Sequence, residues 1–378
     1  MRATELNDSG LPVKDDYSPA LELFQKGASF LERYKNSWAL AELEEGINNL
    51  LNANEILPQN HSMKPVCLNS LGTSFFYRFQ RLHDVVDLGK TITAQQEVIQ
   101  LTLDSHPDKP GFFDNLINSL QNRFGCLGDL ADIDEVIVAQ QQAVRLTPDG
   151  HSDKSGRLNN LGFSFHYRFQ RLSRLVDIDE AIVAQRHAVS LTSDGHPDKP
   201  RRLNSLGNYF LCRFAHLGDL IDLDEAITSQ RHAARLSSND HPNKSRHLND
   251  LGNSLLCRFE RMGNLVDLDQ AIKAQRHAVR LTPHGHPAKP GRLNNLGSSS
   301  LRRFERLGEL VDLDRAIAAQ QRAVRGIPDE HPNKPAHLNN LGISFARRFE
   351  CLGDVDNLDK AITAQKQAVR LTPDGHSD

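Results

Sequence analysis

Long apolar runs are missing from this chain of 378 residues. No stretch approaches the roughly 18 apolar residues that a spanning helix needs, so the sequence argues against a membrane protein. The first residues, Met-Arg-Ala-Thr-Glu-Leu-Asn-Asp-Ser-Gly-Leu-Pro, are too polar for the apolar core of a secretory signal, which places the chain in the cytoplasm. Cysteine is scarce: Cys67, Cys126, Cys212, Cys257 and Cys351 are odd in number and form no close pair. That excludes a disulfide framework and a Cys-x-x-Cys metal site, and points to reduced thiols. A basic tail or stripe is also absent. Lys and Arg number 45 against 48 Asp and Glu, a net charge of −3, which removes the electrostatic footing for nucleic acid or a membrane surface. Proline is excluded from nearly the whole length: of 17 prolines, all but Pro12 fall in short junction segments at fixed intervals. Because Pro costs about 3 kcal/mol inside a helix, these segments mark where helices cannot be.

What the chain has in abundance is itself. Leu71-Gly72, Leu161-Gly162, Leu206-Gly207, Leu251-Gly252, Leu296-Gly297 and Leu341-Gly342 share a 45-residue frame, and Leu116-Ile117 holds that place in a copy without the glycine. An Arg-Phe pair follows in the same frame, beginning at Arg78, Arg123, Arg168, Arg213, Arg258, Arg303 and Arg348. One period earlier, Leu23, Gly27, Phe30, Arg33 and Tyr34 keep the register, giving eight units over 19–378 behind a polar leader, 1–18, read as disordered. Leu68, Leu71, Phe75, Phe79 and Leu82 are spaced 3, 4, 4 and 3, one face of an α-helix, here helix A. Leu358, Ile362, Gln365 and Val369, with Ala361, Ala364 and Ala368 beside them, predict a second, helix B. In the junction His196-Pro197-Asp198-Lys199-Pro200, Asp198 is placed to cap the next helix and Pro200 to sit in its first turn. Helix pairs at a fixed period stack into an all-α solenoid, each unit burying its apolar faces against its neighbours.

At Leu68, Leu71, Gly72 and Phe75 the unit resembles the helix A of tetratricopeptide repeats, and the helix B alanines followed by Pro148, Pro283, Pro328 or Pro373 resemble its close. The longer 45-residue unit is similar to kinesin light chain-type arrays and to fungal arrays that accompany CHAT or NB-ARC domains. The resemblance implies a right-handed superhelix that binds protein or peptide on a concave helix A surface. One departure is that Gln230, Gln275, Gln320 and Gln365 stand where the family has an aromatic residue.

Chemistry is hard to find. Gly89-Lys90-Thr91 lacks the earlier glycine of a phosphate loop, Asp84 standing there. His61, His106, His151, His196, His241, His286, His331 and His376 recur once per unit. Stacked equivalents lie at least 8–10 Å apart, too far to share a zinc ion, so they are read as caps on a helix C-terminus. Asn7-Asp8-Ser9 and Asn60-His61-Ser62 are read as loop residues rather than glycan acceptors. The recurring arginines are assigned to ion pairs with a D-L-D segment such as Asp222 and Asp224. Asp132, Asp177, Asp222, Asp267 and Asp312 are assigned as caps of helix B. No catalytic cluster, cofactor site or metal site emerges, and an enzyme is not expected.

The candidate site is polar and lies inside helix A. Asn69, Asn159, Asn204, Asn249, Asn294 and Asn339, with Asp114 in one copy, recur too deep in the helix to cap it, and Asn160, Asn295 and Asn340 follow directly. Mid-helix Asn is mildly unfavourable, so its recurrence calls for a role. In tetratricopeptide arrays such a ladder bonds the backbone of an extended peptide; the alternative is that the amides bridge adjacent units. Nearby positions vary freely: Thr73, Phe76 and Tyr77 become Asn118, Gln121 and Asn122, then Phe163, His166 and Tyr167, then Ser298, Leu301 and Arg302, with Arg347 in the last unit. Constant amides beside variable neighbours suit backbone capture with local selectivity. The function expected is a non-catalytic protein- or peptide-binding scaffold. The alternatives are a sensor region of a larger CHAT or NB-ARC protein and, more weakly, an enzyme with a convergent site. Because the sequence stops where another helix A would begin, the last helix B is expected to keep an apolar face open to self-association.

Overall fold

The computed structural model describes residues 17–372, which form sixteen α-helices and, among those residues, no strand. The leader through residue 16 and the stretch 373–378, with Pro373, His376 and Asp378, lie outside the described residues. The chain divides into two compact units, one ending at Ser173 and the other starting at Arg174. The first contains α1 (Ser18–Ser37), α2 (Leu40–Ile56), α3 (Lys64–Leu82), α4 (Val85–Leu101), α5 (Lys109–Leu127), α6 (Leu130–Leu146) and α7 (Lys154–Leu172). The second contains α8 (Leu175–Ser190), α9 (Lys199–Leu217), α10 (Leu220–Leu236), α11 (Lys244–Met262) and α12 (Leu265–Leu281). It continues with α13 (Lys289–Leu307), α14 (Leu310–Arg325), α15 (Lys334–Leu352) and α16 (Val355–Leu371). Odd-numbered helices are helix A and even-numbered ones helix B of the eight repeats. Within each unit consecutive helices pack in order. In the second unit α9, α11, α13 and α15 also touch one another in succession, so the helix A members form one continuous layer.

The junctions work differently from their sequence reading. Asp198 precedes α9, but its side chain makes no capping bond. Nor do the described histidines of this set cap a helix C-terminus: from His61 to His331 each imidazole Nδ1 accepts the backbone N–H two residues on, as His196 does from Asp198 at 3.1 Å and His331 from Asn333 at 3.1 Å. The residue that does cap helix B is the junction lysine. Lys199 Nζ donates to the Val189 and Thr192 carbonyls at 2.9 and 2.6 Å, and Lys334 to those of Val324 and Ile327 at 2.8 Å each. An ammonium there meets both the unsatisfied carbonyls and the negative end of the helix dipole. Helix B is capped three residues before the expected position. Asp84, Asp129, Asp219, Asn264 and Asp354 are its caps, each accepting the N–H two residues on, whereas Asp132, Asp177, Asp222, Asp267 and Asp312 sit one turn inside and are buried. Helix A ends in a left-handed residue that is glycine at 128, 218, 263, 308 and 353, with φ between 65 and 74°.

The buried aspartates receive the repeat arginines. Arg213 reaches Asp222 with Nε and Nη2 at 2.8 and 2.6 Å and Asp179 of the preceding repeat with Nη1 at 2.7 Å. Arg258 does the same with Asp267 and Asp224. The assignment of these arginines to structural ion pairs therefore stands, extended to a clamp across three helices. On α16, Ile362 is 40% exposed against 5% for Ile317 in the preceding repeat, and Val369 is exposed as well.

One buried histidine sets a pH dependence. His247 is 1% exposed on α11, its Nδ1 lies 2.9 Å from the Ser237 hydroxyl, and burial, with His241, Arg246 and Lys244 around it, lowers its pKa to about 4. The unfolded chain takes up that proton near the ordinary value of 6.5 while the folded one refuses it. Stability is thus fully present above 6.5 and falls, by about 1.4 kcal/mol per pH unit, as pH drops toward 4. His247→Arg, the residue found at the equivalent Arg202 and Arg292, is expected to remove that part of the slope. Urea unfolding midpoints of the two proteins at pH 7 and pH 5 test it, and parallel slopes would refute it.

Candidate functional site

The asparagine ladder is a real structure in the second unit, and it runs between repeats. Asn204 Nδ2 donates to Asp250 Oδ2 at 2.8 Å, Asn295 Nδ2 to Asn249 Oδ1 at 3.2 Å, and Asn340 Nδ2 to Asn294 Oδ1 at 3.2 Å. Each rung joins the first polar position of one helix A to the second position of the next, 46 residues on. The two columns differ in access. Asn159, Asn204 and Asn294 are buried; Asn69, Asn249, Asn295 and Asn340 are half-buried; Asn160 and Asn339 are exposed. The second column therefore retains solvent-facing amide capacity that half of the first, Asn159, Asn204 and Asn294, has lost. In the first unit Asp114 takes the ladder position and binds Arg157 Nη2 at 2.7 Å.

The variable positions separate into distinct environments. Asn208 and Asn253, from the column of Thr73, accept bonds from Gln230 Nε2 at 3.0 Å and Gln275 Nε2 at 3.1 Å, so in these repeats that column belongs to the seam between helices A and B. Tyr77 packs against Tyr34 of the preceding helix A, with ring centroids 5.8 Å apart, and Tyr167 meets Phe124 edge-on at 5.6 Å. At the same position Cys212 and Cys257 are half-buried, and desolvation pushes both thiols above their ordinary pKa. Arg302 and Arg347 are exposed and interleave with acids. Arg302 reaches Glu260 at 3.2 Å and Glu305 at 2.8 Å, and Arg347 reaches Glu305 at 3.6 Å and Glu350 at 2.8 Å. This position is thus aromatic in the first unit, and in the second unit it passes from thiol to alternating charge along the helix A layer.

Among the described residues no group of three His, Cys, Asp or Glu side chains is placed to hold a metal ion. None of the described helices is long and apolar enough to cross a membrane. The functional positions that sequence reasoning passed over are the junction lysines. Lys64, Lys109, Lys154, Lys199, Lys244, Lys289 and Lys334 stand 45 residues apart and carried the signal in plain view.

No family model and no curated protein matches the sequence. Solved structures do. The C-terminal part of a TPR repeat-containing protein from Cytophaga hutchinsonii is 12% identical over 80% of this chain and 99% of that one, with a TM-score of 0.53. PilF of Pseudomonas aeruginosa is 18% identical over 70% of this chain and 95% of its own, at 0.45. Nearly identical TPR-like repeats of kinesin light chain type from Podosopora anserina are 13% identical over 58% and 99%, at 0.42. The first of these carries the fold: the chain is an α-solenoid of tetratricopeptide type, with eight repeats in its sixteen helices.

Proposed function

We propose that this protein is a non-catalytic scaffold that binds a protein or an extended peptide on its helix A layer, in the cytoplasm. The observation that supports the reading most is the contrast within one helix. The framework of Leu, Gly, Arg and Phe repeats almost unchanged, while the accessible positions change in size, polarity and charge from copy to copy. A face under packing demand alone has no use for a constant polar column beside a changing one. The binding residues in this reading are Asn160, Asn295, Asn339 and Asn340 for backbone capture, with Tyr77, Tyr167, Arg302 and Arg347 for selectivity. Asn159, Asn204 and Asn294 hold the layer in register, with Asn69 and Asn249 between the two roles. Self-association through the apolar face of α16 belongs to the same reading. No metal, cofactor, nucleic acid or lipid does.

Affinity capture with mass spectrometry, using the wild type and an Asn295→Ala/Asn340→Ala variant, tests it. Each lost amide bond is expected to cost a bound peptide about 1 kcal/mol. A partner captured by the wild type is expected to be depleted from the variant; losing the rungs to Asn249 and Asn294 lowers its melting temperature, so capture is compared well below that temperature, where both proteins are folded. Asn204→Ala is expected to act the other way, lowering stability while sparing the partner. Undiminished capture by the double variant would remove the helix A layer as the binding surface.

A further inference from the structure

The junction between repeats 6 and 7 holds a pocket whose charge is unbalanced. In four other junctions an aspartate five residues before the lysine pairs with it. Asp104 lies 2.8 Å from Lys109, Asp149 3.3 Å from Lys154, Asp194 3.4 Å from Lys199, and Asp329 3.2 Å from Lys334. That carboxylate also reaches the following helix B: Asp104 binds Arg145 at 2.9 Å, and Asp194 lies 3.8 Å from His232. The acid is thus a bridge between a helix A lysine and a cation on helix B of the same repeat.

At the repeat 6–7 junction the bridge is gone but both abutments remain. His284 occupies the aspartate position, Lys289 is the lysine, and Arg322 and Arg325 occupy the positions of His232 and Arg145. These residues line a pocket of about 450 Å³ with no Asp or Glu among its lining residues, over an apolar floor that includes Leu293, Ile327 and Pro328. Among the described residues none of the three cations has a carboxylate partner. Lys289 Nζ makes one bond, to the Thr282 carbonyl at 2.6 Å, so it has donors to spare. Burial and the nearby Arg322 hold its ammonium below the ordinary pKa, the response of a cation short of a counter-ion.

We propose that this pocket binds an acidic side chain of a polypeptide partner, its carboxylate taking the place between Lys289 and Arg325 that Asp104 holds between Lys109 and Arg145, and an adjoining apolar residue resting on Leu293 and Ile327. A carboxylate fits because the chain's own repeats use one in this very setting. Charge-assisted bonds from an ammonium and a guanidinium on a partly desolvated floor are the strong kind. The site lies at the loop edge of the solenoid and does not depend on the helix A layer.

The test uses the full chain with arginine side chains labelled with ¹⁵N, titrated at low ionic strength with acetyl-Leu-Asp-Leu-amide and, as its neutral twin, acetyl-Leu-Asn-Leu-amide. The Asp peptide is expected to shift the Arg322 and Arg325 signals saturably, with an affinity roughly tenfold or more above that of the Asn peptide. His284→Asp restores the residue type of the sister junctions and so is expected to fold. It is expected to lower affinity for the Asp peptide by a similar factor by filling the site from within. The Asn295→Ala/Asn340→Ala variant is expected to bind the Asp peptide as the wild type does, which separates this site from the helix A layer. Equal affinity for the two peptides, or undiminished binding by His284→Asp, would overturn the proposal. Tighter binding of inorganic phosphate than of the Asp peptide would overturn the carboxylate assignment.

Discussion

Gly207→Leu is expected to destabilise the second unit by about 3 kcal/mol, the upper end of what overpacking costs. Glycine inside a helix is about 1 kcal/mol worse than alanine, yet it recurs in nearly every helix A of this chain, so something must require the missing side chain. The geometry supplies the requirement. A Cβ on Gly207 would stand 2.6 Å from Gln230 Cγ and 2.9 Å from the Ala226 carbonyl oxygen, and Gly252, Gly297 and Gly342 meet Gln275, Gln320 and Gln365 in the same way. The contact that matters is backbone: a side chain can swing aside, but the Ala226 carbonyl is held in α10. That glutamine and the glycine facing it are therefore one device, a close helix A–helix B crossing filled by a flexible stem. Gly72 is the built-in control. A Cβ there would lie 3.4 Å from Ala94 Cβ and 3.6 Å from the Thr91 oxygen, ordinary contacts, so Gly72→Ala is expected to be neutral or stabilising by up to about 1 kcal/mol. Chemical unfolding of both variants decides the matter; equal midpoints for Gly207→Leu and wild type would remove the close crossing as the reason for the glycine.

The fold was legible because period and helix are the same signal here. A 45-residue self-match, an apolar spacing of 3 and 4, and prolines confined to the junctions leave no room for another architecture. The arginine pairs were legible for the same reason, since Arg213 and Asp222 are fixed nine residues apart across one turn. What escaped depends on which of two similar groups a helix end uses. Asp219 and Asp222 both suit a cap, and the sequence does not say that the first takes the backbone and the second the arginine. The histidines were assigned to the wrong helix because their partner is the N–H two residues on rather than a carbonyl behind them. The ladder was visible as a column, but its rungs join residues 46 apart, an offset set by the stagger of neighbouring helices that no single repeat encodes. The unbalanced pocket is a difference at one position, His284 against Asp104, and it carries meaning only once Lys289 and Arg325 are known to flank it.

Removing one arginine is the other large effect. Arg258→Ala is expected to cost about 3 kcal/mol or more, because it strands a buried carboxylate rather than merely deleting a bond. Asp267 is 3% exposed, and Arg258 covers both its oxygens, with Nε at 2.9 Å and Nη2 at 2.6 Å. The remaining Nη1 reaches Asp224 at 2.7 Å, tying α10 to α11 and α12. The two halves of this clamp are unequal. Asp224 is mostly exposed, so Asp224→Ala is expected to cost no more than about 1 kcal/mol, as surface pairs do. Arg258→Lys should fall between, since an ammonium cannot meet two carboxylate oxygens with a planar fork. The last repeat shows how the loss is absorbed when the charge goes as well. There Asn357 stands in the aspartate position and bonds Asp354 at 2.8 Å, while Arg348 keeps only Asp314 of the preceding repeat, at 3.1 Å. Arg258→Met combined with Asp267→Asn is therefore expected to recover most of the stability lost by Arg258→Ala alone. Urea unfolding of the single and double variants checks both halves of the argument. If the double variant is no more stable than the single one, the cost lies in the lost bridge between repeats and not in the stranded charge.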